Sequence, residues 1–145
     1  MKKKILISTG GSGGHVMPAI TIYDHLKNHY EVMISTDLRG FKYLDDEKYK
    51  TFLIDTPRLN RLILMPFSIL VVFFLTLKSL FVLKKEKISM LISTGGYMSL
   101  PLCLAAKILK IKILLLEPNM IIGRANKFFI NFCEKIICYD SSIIN

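Results

Sequence analysis

An apolar run, Ile5-Leu6-Ile7, opens straight into Ser8-Thr9-Gly10-Gly11-Ser12-Gly13-Gly14-His15-Val16-Met17-Pro18. Four glycines within five positions give the backbone access to positive φ and let it approach a ligand closely. A helix pattern follows, with Pro18 suited to its first turn and Ala19, Ile22 and Leu26 at helical spacing. In such a strand–turn–helix unit the turn amides and the helix N-terminus face one point, which favours a phosphate. The turn is not a dinucleotide fingerprint: three residues after Gly13 stands Val16 where G-x-G-x-x-G needs a glycine. Nor does Gly-Lys-Ser/Thr follow, as a Walker A loop requires. His15 is the titratable side chain at its mouth.

The remaining chain repeats this unit. Short apolar runs at residues 4–8, 31–36, 49–54, 88–93, 112–116 and 135–138 read as strands buried on both faces. Between them, residues 18–29, 38–48, 66–83, 102–109 and 121–132 read as helices. This alternation predicts an α/β fold, a Rossmann-like doubly wound parallel sheet, in a single domain over residues 1–145. Ile-Ser-Thr-Gly-Gly occurs at residues 7–11 and again at 92–96, where Thr94-Gly95-Gly96-Tyr97-Met98-Ser99-Leu100-Pro101 forms a second glycine loop. Both loops and Glu117-Pro118-Asn119 are expected to gather at the carboxyl ends of the strands.

Charge and cysteine usage narrow the partners. Twenty Lys and Arg against 11 Asp and Glu leave a net charge of +9, which suits an anionic partner or simply a solvated basic face. Basic residues interleaved with aromatics on one face are lacking, so nucleic acid is not expected. Cys103, Cys133 and Cys138 show no CxxC spacing and are expected to be reduced and buried. His25 and His29 have the spacing of a metal pair without a third ligand, and Asp45-Asp46 is no better. No metal or other cofactor is therefore expected. Met1-Lys2-Lys3-Lys4 resembles the start of a signal peptide, but only Ile5-Leu6-Ile7 follows, so no cleavable signal is expected.

Residues 66–83 stand apart. As a helix they would be about 27 Å long, near the thickness of a bilayer's hydrocarbon core. Phe67, Leu70, Phe73, Phe74, Leu77, Leu80 and Phe81 form a broad apolar face. Ser68, Thr76, Lys78 and Ser79 lie opposite, together with Val71, Val72, Leu75 and Val82. A transmembrane span, burial under another domain or chain, and peripheral docking on a membrane all fit this pattern. A span would separate the third strand from the fourth, which must share one sheet. Peripheral docking fits the flanking Arg58, Arg61, Lys78, Lys84, Lys85 and Lys87, which suit an anionic lipid surface.

Gly10-Gly11-Ser12-Gly13-Gly14-His15-Val16-Met17-Pro18-Ala19 resembles the GGTGGHVFPA loop of the MurG glycosyltransferase family. Gly95-Gly96-Tyr97-Met98-Ser99-Leu100-Pro101 resembles its GGYVSGP loop. Glu117-Pro118-Asn119 with Gly123, Asn126 and Lys127 resembles its HEQNGIAGLTNK segment. The chain departs at Ser12 for threonine, Leu100 for glycine, Leu116 for histidine and Pro118 for glutamine. The resemblance implies the N-terminal, acceptor-binding half of a GT-B glycosyltransferase, without its C-terminal donor-binding domain. The implied enzyme is an inverting hexosyltransferase of peptidoglycan synthesis, and so of cell-wall biogenesis, cell shape and cell division. It transfers N-acetylglucosamine from UDP-GlcNAc to lipid I, at the cytoplasmic face of the bacterial inner membrane, to which it is peripherally bound.

By the same resemblance, Ser12, Gly13, Gly14 and Asn119 belong to the UDP-GlcNAc side of the cleft. Gly10, Gly11, Gly95, Gly96, Tyr97 and Ser99 would hold the acceptor diphosphate. His15 is the candidate base, since an attacking sugar hydroxyl must lose a proton and a helix N-terminus favours neutral imidazole. It could instead bind a phosphate or sugar oxygen, or merely cap the helix. Glu117 is the weaker candidate base, its alternatives being to orient a sugar hydroxyl or to pair with Arg124 or Lys127. Phe67, Leu70, Phe73, Phe74, Leu77, Phe81, Lys84 and Lys85 would dock on the membrane, the corresponding region of the family being its membrane-association surface. The chain alone is expected to be inactive. Its rivals are a related glycolipid glycosyltransferase and a non-catalytic membrane-recruiting subunit of a split enzyme.

Overall fold

The computed structural model describes residues 2–45, 47–56, 65–140 and 142, with residues 65 and 66 described by their backbone alone. Six strands form one sheet: β1 (Lys4–Ser8), β2 (Glu31–Thr36), β3 (Thr51–Leu53), β4 (Ile88–Ser93), β5 (Lys112–Glu117) and β6 (Lys135–Cys138). Their order is β3-β2-β1-β4-β5-β6, and every pairing is parallel. The chain works outward from β1 to one edge, returns to β4 beside β1, and works outward again. The expected doubly wound fold is therefore present, with its switch point between β1 and β4.

The two Ile-Ser-Thr-Gly-Gly repeats lie side by side there. Ile7 pairs with Ile92 and Ser8 with Ser93. Above them the Thr94 hydroxyl donates to the Thr9 hydroxyl at 2.8 Å. Both loops then turn through glycines with positive φ, Gly10 at 146° and Gly11 at 82° on one side, Gly95 at 89° and Gly96 at 88° on the other. A side chain at these angles would be strained, so the glycines are what lets both strands end in the same turn.

Helices cover both faces of the sheet. Strand residues alternate, so Ile5 and Ile7 pack with Ala19 of α1 (Gly13–Leu26), while Leu6 joins the larger core on the opposite face. That larger core takes Leu83 from α3 (Met65–Lys85), Leu102, Cys103, Ala105 and Ala106 from α4 (Ser99–Ile108), and Phe129 from α5 (Arg124–Phe129). A 3-10 turn, Ile130–Phe132, follows α5. The short α2 (Leu38–Phe41) sits at the end of β2.

Several boundaries differ from expectation. Pro18 is not in the first turn of α1: the helix begins at Gly13 with Ser12 as N-cap, and Pro18 lies inside it. The glycine pair Gly13-Gly14, poor in helix propensity, masked this early start. The polar stretch 38–48 is helical only over Leu38–Phe41, and the last helix begins at Arg124 rather than residue 121. There the preceding loop is held by Glu117, whose contacts are described below. Cys103 is buried and its thiol is pushed up to about 12 by burial. Cys133 and Cys138, expected to be buried, are only half-buried, because they flank and occupy the edge strand β6.

Helix α3 turns the usual pattern round. Its buried side carries Ser68, Val72, Thr76, Ser79 and Leu83, packed along α4. The Thr76 and Ser79 hydroxyls donate to the Val72 and Leu75 carbonyls of their own helix, each at 2.8 Å, so burial leaves neither unsatisfied. The outward side carries Phe67, Leu70, Phe73, Phe74, Leu77 and Phe81, each between 46% and 66% exposed. Lys84 and Lys85 close it, with Lys85 Nζ 6.0 Å from the Phe81 ring centre. Phe67–Lys85 is long and apolar enough to cross a membrane. Yet α3 links β3 and β4 of one sheet. The expected flanking residues Arg58 and Arg61 lie outside the described residues.

Candidate functional site

A cleft of about 520 Å³ opens at the carboxyl edge of the sheet, above the switch point. One wall is the first loop, through Gly10, Gly11, Ser12 and His15. The second loop contributes Gly95, Gly96, Tyr97 and Met98. The β5–α5 loop closes the far side through Glu117, Asn119, Gly123, Arg124 and Ala125. Arg39, from α2 at the end of β2, completes the lining.

His15 sits at the third residue of α1, where the helix amides lack intrahelical partners. Its Nδ1 lies 2.6 Å from the Thr94 carbonyl oxygen. A carbonyl only accepts, so Nδ1 carries a proton, and in the neutral ring Nε2 is the nitrogen with the free lone pair. The backbone of the second loop thus selects the tautomer of a histidine on the first. Gly95 makes the approach possible: a Cβ there would stand 3.4 Å from His15 Cε1 and 3.2 Å from Asn126 Nδ2.

Glu117 is 2% exposed. Its Oε1 accepts from the Asn119 amide at 3.1 Å and Asn119 Nδ2 at 2.9 Å. Its Oε2 accepts from the Gly123 amide at 2.7 Å and Asn126 Nδ2 at 3.0 Å. Arg124 and Lys127 are not among its partners within the described residues, contrary to one of the alternatives above. The carboxylate gathers the loop that follows it and points Asn119 into the cleft. That is also why residues 121–123 do not join α5.

Not every expected residue faces the cleft. Gly13 and Gly14 lie on the outer surface of the first turn of α1, and a Cβ on Gly13 would meet the Tyr43 ring at 3.4 Å. Ser99 is buried, and its hydroxyl donates to the Gly96 carbonyl at 2.7 Å, bracing the second loop from behind. The exposed Ser12 makes no side-chain cap bond, which leaves its hydroxyl to the cleft.

The sequence reading missed Asp37 and Arg39. Asp37 is 1% exposed, and its Oδ1 accepts the Gly11 and Gly40 amides, both at 2.8 Å. Its Oδ2 accepts Arg39 Nε and Nη2, both at 2.9 Å. Burial works to raise its pKa, but the two amides and the guanidinium outweigh that and hold it below the ordinary carboxylate range. Gly40 lets this turn close on the first loop: a Cβ there would come within 2.7 Å of Gly10 Cα. The available signal was position alone, since Asp37 directly follows a strand whose carboxyl end borders the switch point.

The sequence profile of the glycosyltransferase family 28 N-terminal domain matches residues 5–138. A relative from Pelagibacter ubique (strain HTCC1062), a UDP-N-acetylglucosamine–N-acetylmuramyl-(pentapeptide) pyrophosphoryl-undecaprenol N-acetylglucosamine transferase, is 52% identical over 99% of the chain and 40% of its own length. A transferase of the same name from Rickettsia typhi is 38% identical over 92% of the chain and 34% of its own length. Among solved structures, MurG of Acinetobacter baumannii superposes with a TM-score of 0.82 at 23% identity, over 95% of the chain and 42% of its own. A UDP-N-acetylglucosamine 2-epimerase from Rickettsia bellii superposes with a TM-score of 0.70 at 16% identity, covering 99% and 40%. These structural likenesses show the fold. The chain spans about 40% of the length of the Pelagibacter relative.

Proposed function

Because the chain belongs to the glycosyltransferase family 28 N-terminal domain family, matched over residues 5–138, we propose that it is the acceptor-binding half of a lipid I N-acetylglucosaminyltransferase. The whole enzyme transfers N-acetylglucosamine from UDP-GlcNAc to lipid I, as the names of its transferase relatives describe for those proteins. The donor is held mainly by a C-terminal domain, which the relatives' greater length accommodates. This is a cell-wall reaction at the cytoplasmic face of the membrane.

One observation carries the reading: His15, between the two glycine loops, has Nδ1–H committed to the Thr94 carbonyl, so that in the neutral ring Nε2 is the basic nitrogen. In an inverting transfer, an acceptor hydroxyl attacks the anomeric carbon while UDP departs with the electrons of the broken bond. The hydroxyl proton must go to a base. His15 Nε2 takes it, and the Thr94 carbonyl then faces an Nδ1–H on an imidazolium, a stronger donor. Glu117 already accepts from Asn119, Gly123 and Asn126, so it positions Asn119 rather than taking that proton.

The outward face of α3 supports the membrane part of this reading. A large apolar side chain kept in water forgoes roughly 1.5–3 kcal/mol that burial would supply. Phe67, Leu70, Phe73, Phe74, Leu77 and Phe81 all stay exposed along one helix, with Lys84 and Lys85 at its end. An anionic lipid surface covers the first set and attracts the second. The direct test mixes this chain with the C-terminal half of the Pelagibacter relative and supplies UDP-GlcNAc and lipid I. Transfer by the mixture, and not by either half alone, is the expected result; no transfer to lipid I by the mixture would overturn the reading.

A further inference from the structure

Glycine loops are expected to offer amides to a phosphate, yet the Gly11 amide is already taken. It donates to Asp37 Oδ1 at 2.8 Å, and Asp37 is a buried carboxylate. Left bare at the rim, that negative charge would repel an anionic ligand from the first loop. Arg39 covers it, placing Nε and Nη2 on Oδ2, each at 2.9 Å. A guanidinium has five N–H groups, so about three remain, on Nη1 and Nη2. Arg39 lines the cleft, and its side chain is 41% exposed. Nη2 lies 3.7 Å from where a Cβ on Gly11 would stand, so the guanidinium rests on the loop itself.

Resting on the acceptor-binding reading above, we propose that Arg39 is the side chain that binds a phosphate oxygen of the acceptor's diphosphate on the first-loop side, with Asp37 as its positioning residue. The first loop has exchanged an amide for a guanidinium, which brings a full charge and can make two parallel bonds to phosphate. Arg124, the other arginine in the lining, belongs to the opposite wall. It follows β5 while Arg39 follows β2, three strand spacings away, or roughly 14 Å. Asp37 restricts Arg39 before the ligand arrives, so less side-chain freedom is lost on binding.

The test has two arms. In the first, the isolated chain is titrated calorimetrically with inorganic diphosphate. R39Q is expected to weaken binding at least about tenfold, and R39K to recover only part of it, because an ammonium cannot keep both bonds to Asp37. In the second arm, the chain is completed with the C-terminal half of the Pelagibacter relative. There R39Q should raise the KM for lipid I at least about tenfold and leave the KM for UDP-GlcNAc within about twofold. Should R39Q leave Asp37 uncompensated and the chain unfolded, the D37N/R39Q double variant removes the buried charge and takes its place in both arms. Unchanged diphosphate affinity in the folded variant would overturn the proposal, even with transfer to lipid I intact. So would a rise confined to the KM for UDP-GlcNAc, which would make Arg39 a donor contact. Failure of the unsubstituted mixture to act on lipid I would instead remove the reading beneath it.

Discussion

His15 and Asp37 each bond the backbone of a neighbouring loop, and the two contacts have different consequences. For His15 the Thr94 carbonyl sets which nitrogen carries the proton. His15→Ala in the completed enzyme should lower kcat by about 10²–10⁴-fold with little change in the KM for UDP-GlcNAc, read from steady-state kinetics. A change in KM alone would make His15 a binding group. For Asp37 the consequence is stability. Its pKa in the fold lies below the 3.8 of a free aspartate, so the folded state binds its proton less readily than the unfolded chain does. The stabilisation is therefore full well above pH 3.8 and is lost as pH falls below that value toward the folded pKa. Asp37→Asn should cost about 1–3 kcal/mol at pH 7 and flatten the decline below pH 4, measured by denaturant unfolding across pH. His15 was legible in the sequence because it directly follows the four glycines. Asp37 was not, since Thr36-Asp37-Leu38-Arg39 carries no pattern and its role arises only where β2 ends beside β1.

Among the elements, five of the six strands were read to within a residue, because each is a short apolar run between polar turns; β3 alone is shorter, Thr51–Leu53 where 49–54 was expected. Helix limits were read less well. α1 starts five residues before Pro18, as the packing of Val16 and Ala19 outweighs two glycines. α5 starts late, because Glu117 draws the Gly123 amide into its own loop. For α3 the composition was legible but the direction of its faces was not. The periodicity shows an apolar and a mixed side, and only the fold shows that the mixed side is the one packed on α4. Small hydroxyl residues bonded to their own helix let two helices approach closely, a device common in lipid. Replacing both Phe73 and Phe74 with Glu touches only exposed positions, so the fold should survive. Flotation with anionic liposomes should show binding lost in that variant, with an unchanged circular dichroism spectrum; persistent binding would remove α3 as the docking element.

The molecule as a whole divides its labour across the switch point. β1 and β4 carry the paired repeats, the segment after β2 contributes Asp37 and Arg39, and β5 contributes Glu117. A chain with this many cleft groups and an exposed apolar helix should bind more than it catalyses. Alone, it should bind anionic vesicles and diphosphate yet release no UDP from UDP-GlcNAc in the presence of lipid I, as a coupled assay for UDP would record. Steady UDP release by the chain alone would mean that the donor site lies here instead.

The direction in which α3 runs adds a constraint on traffic. A helix that joins parallel strands must run back against them, so the exposed phenylalanines and leucines lie along a line parallel to the strand axes. Set on a lipid surface along that line, the sheet lies with its strands in the plane of the bilayer, and the cleft at their ends opens sideways along it. On the function proposed above, a lipid-anchored acceptor would reach the cleft by drifting within the leaflet, and the search for it would proceed in two dimensions.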